Sequence, residues 1–278
     1  MLFSQGRDAA LSEDFRLPKA LESLDPEKPI LVLGSPGSGK TSLLRQLAKD
    51  RIQRFGASST LAITPSRTSA AELRDQLVLD SSATSNGPRS RSLSSLAFWI
   101  LDEQAQRNGS RRPKLLSGAN QQELIKKLVS EAICEKRTQE WGVPRQALEL
   151  QGFASELRDQ ITVLLEHQLT QEQVRELQLR YPNLRLGPAI DLFPRYLKSL
   201  EELELLDASQ LIVEAVRVLE QDRTVIEGLR YFLVDDAQEL TAAGLALIGS
   251  LSKTATGYFF ADPDATVLGF RGAVGAKL

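Results

Sequence analysis

The run GSPGSGKT, Gly34 to Thr41, has the composition of a phosphate cradle. Gly34, Gly37 and Gly39 remove side chains where backbone N–H groups must wrap an anion. Lys40 is long enough to reach β- and γ-phosphates, and the Thr41 hydroxyl suits Mg²⁺. Ser35, Pro36, Ser38 and the following Ser42 count with the cradle as nucleotide-binding residues. The N-terminus of a helix starting here would aim its positive dipole end at the same point. A plain glycine-rich turn is the competing reading, and the elements on either side weigh against it.

A second chemical signal is FLVDDAQEL, Phe232 to Leu240, where two aspartates follow the apolar run Tyr231–Val234. An acid at the carboxyl end of a strand is where a P-loop enzyme keeps its second metal ligand. Asp235 would hold Mg²⁺ through water. Asp236 stands where a general base orients the attacking water, a place that many ATPases give to Glu. Asp is one methylene shorter, so its carboxylate falls on the order of 1.5 Å short. A misplacement of about 1 Å can cost on the order of 100-fold. Asp236 therefore either works through a shifted water or marks a slow enzyme. Taken alone, the acidic pair reads equally well as the cap of a helix starting at Ala237.

These residues need a scaffold. Ile30–Leu33 is a continuous apolar run, as expected of a strand buried on both faces of a parallel sheet. Leu43, Leu44, Leu47 and Ile52 then recur at near-helical spacing. Strand, loop and helix are followed by a strand in STLAIT and a helix over Ser69–Leu79. The stretch 80–92, rich in Ser, Gly and Pro, reads as an exposed loop, and 93–107 as a helix. RNGSRRPK, 107–114, is a basic turn. Residues 115–204 read as all-helical: Leu124, Ile125, Leu128, Val129, Ala132 and Ile133 form an amphipathic stripe. Thr170 and Gln173 have capping-box spacing, and Pro194 must sit near a helix start or kink it. Residues 205–221 return to the first body, with the strand to Val234, a helix over Ala242–Leu251 and a last strand in GYFFAD. Residues 1–27 read as a helix or a loose lead-in.

Bulk composition excludes little. The 278 residues carry a formal net charge of −2, which leaves room for a locally positive groove. A single cysteine, Cys134, excludes a disulfide framework and a cysteine-based metal site within the chain. The opening MLFSQGRDAALSEDF lacks the basic and apolar regions of a secretory signal. No apolar run approaches the roughly 20 residues of a membrane span, so a cytoplasmic location and no membrane partner are expected. His167, the only histidine, reads as a solvated surface residue. Trp99 and Trp141 read as core packing rather than base stacking. Arg89, Arg91, Arg111 and Arg112 line a DNA path through phosphate contacts or are solvated loop charge.

In order, GSPGSGKT, LAITPSRTSAAELRDQL, RSLSSLAFWIL, FLVDDAQEL and ADPDATVLGFRGA resemble the UvrD/Rep/PcrA-type superfamily 1 DNA helicases. The likeness runs from about Lys28 to Ala273, and PKLLSGANQQELIKKLV and VDDAQELT are most similar to the Adn-type helicase–nuclease branch. The resemblance implies an α/β fold: a RecA-like P-loop domain of parallel sheet and flanking helices, over 1–110 and 205–278, interrupted by an all-helical insertion over 111–204. It implies ATP and Mg²⁺ as cofactors, single-stranded DNA or a duplex–single-strand junction as track, 3′–5′ movement, and a role in DNA repair or recombination. Gln238 would couple nucleotide state to domain closure beside Lys40 and Asp236 in the catalytic set. Arg271 would link the ATP and DNA sites, and Phe270 would stack on a base. Thr64, Pro65, Ser66, Arg67, Ser92 and Ser94 would face DNA.

Several positions depart from that pattern. Ala265 replaces the glutamine of DPDQ, Leu268 replaces a second aromatic, Leu93 and Ser94 replace Phe and His of TFHSLA, and the stretch before the loop lacks the adenine-reading Gln. With Asp236, these changes suggest a motor that binds nucleotide but hydrolyses or couples poorly. Relatives continue into a second RecA-like domain, whose arginines complete the ATP cleft; the sequence is accordingly expected to be a piece of a longer protein. A helicase motor domain is the leading reading. A structural DNA-binding subunit beside an active motor in a helicase–nuclease pair is the alternative, and an unrelated P-loop ATPase stands behind both.

Overall fold

The computed structural model describes residues 25, 27–79 and 90–264. A sheet of five strands, β1 (Ile30–Leu33), β2 (Thr60–Thr64), β3 (Ser90–Ser92), β4 (Tyr231–Val234) and β5 (Thr256–Ala261), has the order β1-β5-β4-β2-β3. Every neighbouring pair is parallel. Parallel strands bring all their carboxyl ends out on one edge, which is where an open α/β sheet binds ligands. The register aligns Leu33 with Ala261, Val234 with Phe259 and Thr64 with Ser92, so the loops that follow lie side by side.

Both faces of the sheet are covered. Helices α1 (Lys40–Phe55) and α2 (Arg67–Leu79) pack on one face. There Leu44, Leu47 and Leu77 meet Tyr231, Leu233, Tyr258 and Phe260. Helices α3 (Leu93–Asn108), α9 (Ala208–Gln221) and α10 (Ala242–Leu251) pack on the other, with Leu96, Ile100, Leu211 and Leu247 against Ile63, Phe232 and Val234. Successive residues of β4 thus serve opposite cores, as the two-residue period of a strand requires. Each such fully buried large apolar side chain contributes roughly 1.5–3 kcal/mol.

The expectation of a doubly buried first strand fails for β1. Among the described residues it pairs with β5 alone, at the edge of the sheet, and Leu31 and Leu33 are 48% and 58% exposed while their neighbours Ile30 and Val32 pack inward. An unbroken apolar run reports affinity for a core, not strand order. Helix α2 begins at Arg67 rather than Ser69, because the Ser66 hydroxyl takes the Ser69 amide and opens the first turn earlier. The stretch read as loop over 80–92 ends in a real strand, β3, at the far edge of the sheet.

The helical stretch builds a core of its own. It comprises α4 (Gly118–Cys134), α5 (Arg145–Leu148), α6 (Gln151–Glu166), α7 (Gln171–Arg180) and α8 (Gly187–Leu203). Ile125, Leu128, Val129 and Ala132 of the predicted stripe are buried there with Leu157, Ile161, Leu192 and Tyr196. Thr170 and Gln173 close the predicted capping box. Pro194 sits inside α8, while Pro188 occupies its first turn, so the helix loses one internal bond and continues. Trp141 is buried in this core, and His167 ends α6 in solvent.

The chain enters and leaves the helical part at one point. The Leu116 amide donates to the Leu206 carbonyl at 2.8 Å and the Leu206 amide to the Lys114 carbonyl at 2.9 Å. Arg112 holds Asp102 with both sides of its fork, and Arg111 holds Glu204. Both arginines are thus engaged in ion pairs at the neck. Beside this neck, Asp207 caps α9 by accepting from the Gln210 amide at 2.8 Å. Its Oδ2 also accepts from the Tyr196 hydroxyl at 2.6 Å. Tyr196 belongs to the helical core and α9 to the sheet core, so this one carboxylate joins the two.

Candidate nucleotide and nucleic-acid site

The glycine loop has the conformation its residue types require. Gly37 and Gly39 sit at φ of +75° and +88°, where a β-carbon is disfavoured. At Gly34 a Cβ would meet the Ser38 hydroxyl oxygen at 2.5 Å. Gly39 precedes α1 without a side-chain cap, so the first-turn amides and the helix dipole face the loop. Lys40 Nζ donates to the carbonyls of Gly34 at 2.6 Å and Ser35 at 2.9 Å, spanning the concavity that a phosphate would occupy.

The sheet brings the acidic strand ends to this loop. Thr41 Oγ1 donates to Asp235 Oδ2 at 3.0 Å, across 194 residues of sequence. Asp235 is 7% exposed, and its Oδ1 is buried with no hydrogen-bond partner. Burial, and then the charge of Asp236, push the Asp235 carboxyl above the usual carboxylate range; Thr41 and the Lys40 ammonium oppose the shift. One strand along, Asp262 follows β5, 3% exposed, with its Oδ2 also buried and unpartnered. The orphaned Asp235 oxygen and the Thr41 hydroxyl bonded to that carboxylate are oxygen donors of the kind that suits Mg²⁺. Among the described residues no cluster of three or more His, Cys, Asp or Glu side chains could hold a metal. The remaining ligands would have to be water and phosphate, as is usual for this cation.

Asp236 takes φ +46°, a left-handed conformation that Asp tolerates better than most residues. It precedes the 3₁₀ turn Ala237–Glu239 but makes no side-chain cap, so the helix-cap reading of the acidic pair falls. Gln238 is 4% exposed. Its Nε2 donates to Asp236 Oδ1 at 3.2 Å, and its Oε1 accepts from the Asp262 amide at 3.0 Å. It thus ties the ends of β4 and β5 together from inside. Asp262, which is not among the expected site residues, is a further candidate by its burial and its bond to Gln238; its signal in the sequence is an acid closing the last apolar strand, FFAD.

The residues expected to face DNA divide. Pro65 and Ser66 are exposed on the loop after β2, and Arg67 is exposed at the start of α2. Thr64 is buried, and its hydroxyl turns in to the Ser66 carbonyl at 3.0 Å. Ser92 is buried too, capping α3 by accepting from the Ser95 amide. Each hydroxyl is held by its turn with part of its hydrogen-bonding capacity left: Thr64 can still accept and Ser92 can still donate. Ser94 is half-buried and lines a cleft of about 390 Å³ with Arg67, Asp235, Asp236 and Arg158. This cleft separates the sheet edge from the helical part, a contact that sequence spacing could not foretell. Arg89, Ala265, Leu268, Phe270 and Arg271 lie outside the described residues.

No helix among the described residues is long and apolar enough to cross a membrane. Against known proteins, the model of one family, the UvrD/REP helicase N-terminal domain, matches residues 16–277. No curated protein matches the chain.

Proposed function

The chain belongs to the UvrD/REP helicase N-terminal domain family, and from that membership we propose that it is the ATP-binding motor domain of a 3′–5′ DNA translocase acting in repair or recombination. The observation that carries the nucleotide part is the meeting of Thr41 with a buried, half-satisfied Asp235 beside the glycine loop. Gly34 to Ser42 would cradle the phosphates, with Lys40 moving from its carbonyls to the β- and γ-oxygens. Thr41 and Asp235 would hold Mg²⁺, which neutralises charge building on the transferring phosphoryl group. Asp236 would orient the attacking water, and Gln238 would carry the state of that carboxylate to β5 through Asp262.

We assign residues 1–110 and 205–278 to the RecA-like unit and 111–204 to the insertion, in keeping with the separate helical core. Single-stranded DNA would cross the sheet edge over Pro65–Arg67 and Ser94, with Phe270 and Arg271 as further contacts by family likeness. A second RecA-like domain would supply the opposite wall of the ATP cleft. The direct test is fluorescent-nucleotide binding with Lys40→Ala and Asp235→Asn. Both substitutions are expected to weaken ATP–Mg²⁺ binding at least tenfold, and retention of full affinity by both would refute the site.

A second reading is favoured by one observation. The Asp236 carboxylate is already engaged by Gln238 in a left-handed turn, which suits a subunit that binds nucleotide and turns it over slowly. In that case the protein would serve as the structural DNA-binding partner of an active motor in a helicase–nuclease pair. DNA-stimulated ATP turnover by the wild-type chain at tens per second would exclude it.

A further inference from the structure

The helical part carries a groove that shares no residue with the nucleotide cradle or the cleft beside it. It has two chambers, about 660 and 320 Å³, and Ile133 and Leu148 line both. One wall is α4, where Lys126, Val129, Ser130 and Ile133 stand at i, i+3, i+4 and i+7. They form a single helix face about 10 Å long. Beyond α4, Lys136 and Gly142, at φ +59° and +66°, bracket the 3₁₀ turn Arg137–Trp141. Buried Trp141 and the ion pairs of Arg137 with Glu135 and Asp191 hold this turn. The chain then runs through α5 to the start of α6 as the opposite wall.

The floor is apolar. Val129, Leu148 and Ala154 are buried, and Ile133 and Val143 are half-buried. Leu150, on the rim, is 62% exposed. It stands at the N-cap of α6 and makes no side-chain cap, in a place usually given to Ser, Thr, Asp or Asn. Neither core packing nor capping accounts for a leucine there, and an apolar surface ringed by polar residues marks an interaction site. The rim charge is uneven: Lys126, Lys136 and Arg145 stand against Glu149. Lys126 is paired with Glu123 at 2.8 Å. Lys136 and Arg145 are exposed and make no ion pair among the described residues. Both line the larger chamber, whereas Glu149 lines the smaller. Among the described residues no aromatic lines the groove, so a nucleic-acid base would find nothing to stack on.

We propose that this groove takes an amphipathic helix of a partner protein. Apolar side chains at i, i+3 or i+4, and i+7 would seat over Ile133 and Leu148 and against Leu150. Acidic side chains at one end would meet Lys136 and Arg145. Helix-in-groove recognition is read through that spacing, and two turns of a bound helix match the α4 face in length. The uneven charge sets the direction: acids suit the first turn of a helix, so its N-terminal end lies over the larger chamber. A partner held here leaves the nucleotide cradle open, so the groove recruits and takes no part in turnover.

The test is selection of a phage-displayed library of random peptides, each of about 12 residues or some three helical turns, on the full chain. Enriched sequences are expected to carry apolar side chains at helical spacing and Asp or Glu at one end. A fluorescein-labelled copy of the most enriched peptide is then titrated by anisotropy. Leu150→Glu and the pair Lys136→Glu/Arg145→Glu are each expected to weaken it at least about tenfold. All three residues are exposed, and an unchanged melting temperature checks that each variant is folded. The same peptide with its acids changed to lysine should prefer Lys136→Glu/Arg145→Glu to wild type. The proposal is overturned if no peptide is enriched, if the variants bind the peptide as wild type does, or if the lysine peptide shows no reversed preference. Displacement of the peptide by oligothymidylate would give the groove to nucleic acid. Self-association of wild type that Leu150→Glu abolishes would give it to a second copy of the chain. Either result also overturns the proposal, and neither bears on nucleotide binding at Lys40.

Discussion

Tyr196→Phe removes one hydroxyl from the joint between the helical part and the sheet. Tyr196 is fully buried and Asp207 is 2% exposed, so water cannot replace the lost donor. The bond is short, 2.6 Å, and its acceptor is the cap of α9. After the change, Asp207 Oδ2 keeps only Gln121 Nε2 at 3.4 Å, while Oδ1 keeps the Gln210 amide. Gln121 also loses Tyr196 as an acceptor, from 3.0 Å. A hydrogen bond to a buried charge contributes about 1.5–3 kcal/mol, and Phe fills the ring volume, so no cavity forms. The expected loss is about 2 kcal/mol, read as a shift of the urea midpoint at unchanged slope. Amide exchange should speed up at the first turn of α9 and at the Leu116–Leu206 neck before it changes in β4. A double-mutant cycle with Asp207→Asn should return a coupling of about 1 kcal/mol or more. A midpoint unchanged within about 0.5 kcal/mol, or additive effects in the cycle, would refute the joint as a stabilising contact.

Other substitutions probe separate claims. Gly39→Ala, forced to φ +88°, should cost about 1 kcal/mol or more in stability and weaken nucleotide binding at the same time, followed by thermal melts and titration with a fluorescent ATP analogue. Asp236→Glu should lower stability by up to about 1 kcal/mol, because Glu tolerates the left-handed turn less well. If only reach limits hydrolysis, steady-state phosphate release should rise with it. For pH, the Arg112 hydrogen bond holds the Asp102 carboxyl below its ordinary value. That stabilisation is present above the unfolded pKa near 4 and is lost as pH falls through the lower folded value. Asp102→Asn should therefore flatten the acid side of the melting-temperature profile. Asp207 works in the opposite sense: burial raises its pKa, so its protonation adds relative stability as pH falls from the folded value toward 4. Asp207→Asn should remove that gain.

Chain order alone disclosed the chemistry. The loop Gly34–Thr41 and the pair Asp235–Asp236 were legible because their demands are local: glycine where φ is positive, an acid at the end of an apolar run. The parallel α/β class came with the family resemblance that those motifs carry, and the helical part was legible from the stripe on α4 and the capping box on α7, which spacing fixes. What spacing does not encode is who lies beside whom. Ile30–Leu33 and Tyr231–Val234 are both apolar runs, yet one is an edge and the other a centre, because strand order follows from packing of the whole sheet. Thr64 and Ser92 were expected to face DNA, and only the fold shows that both side chains are buried and held in turns. Arg91 and Arg111 were indistinguishable as loop charges until folding set Glu204 beside one and left the other stacked on Trp99. Residue type determined what this protein's groups can do. Tertiary structure decided which groups stand together and what each already holds, because neighbours across the sheet are set by packing and not by spacing along the chain.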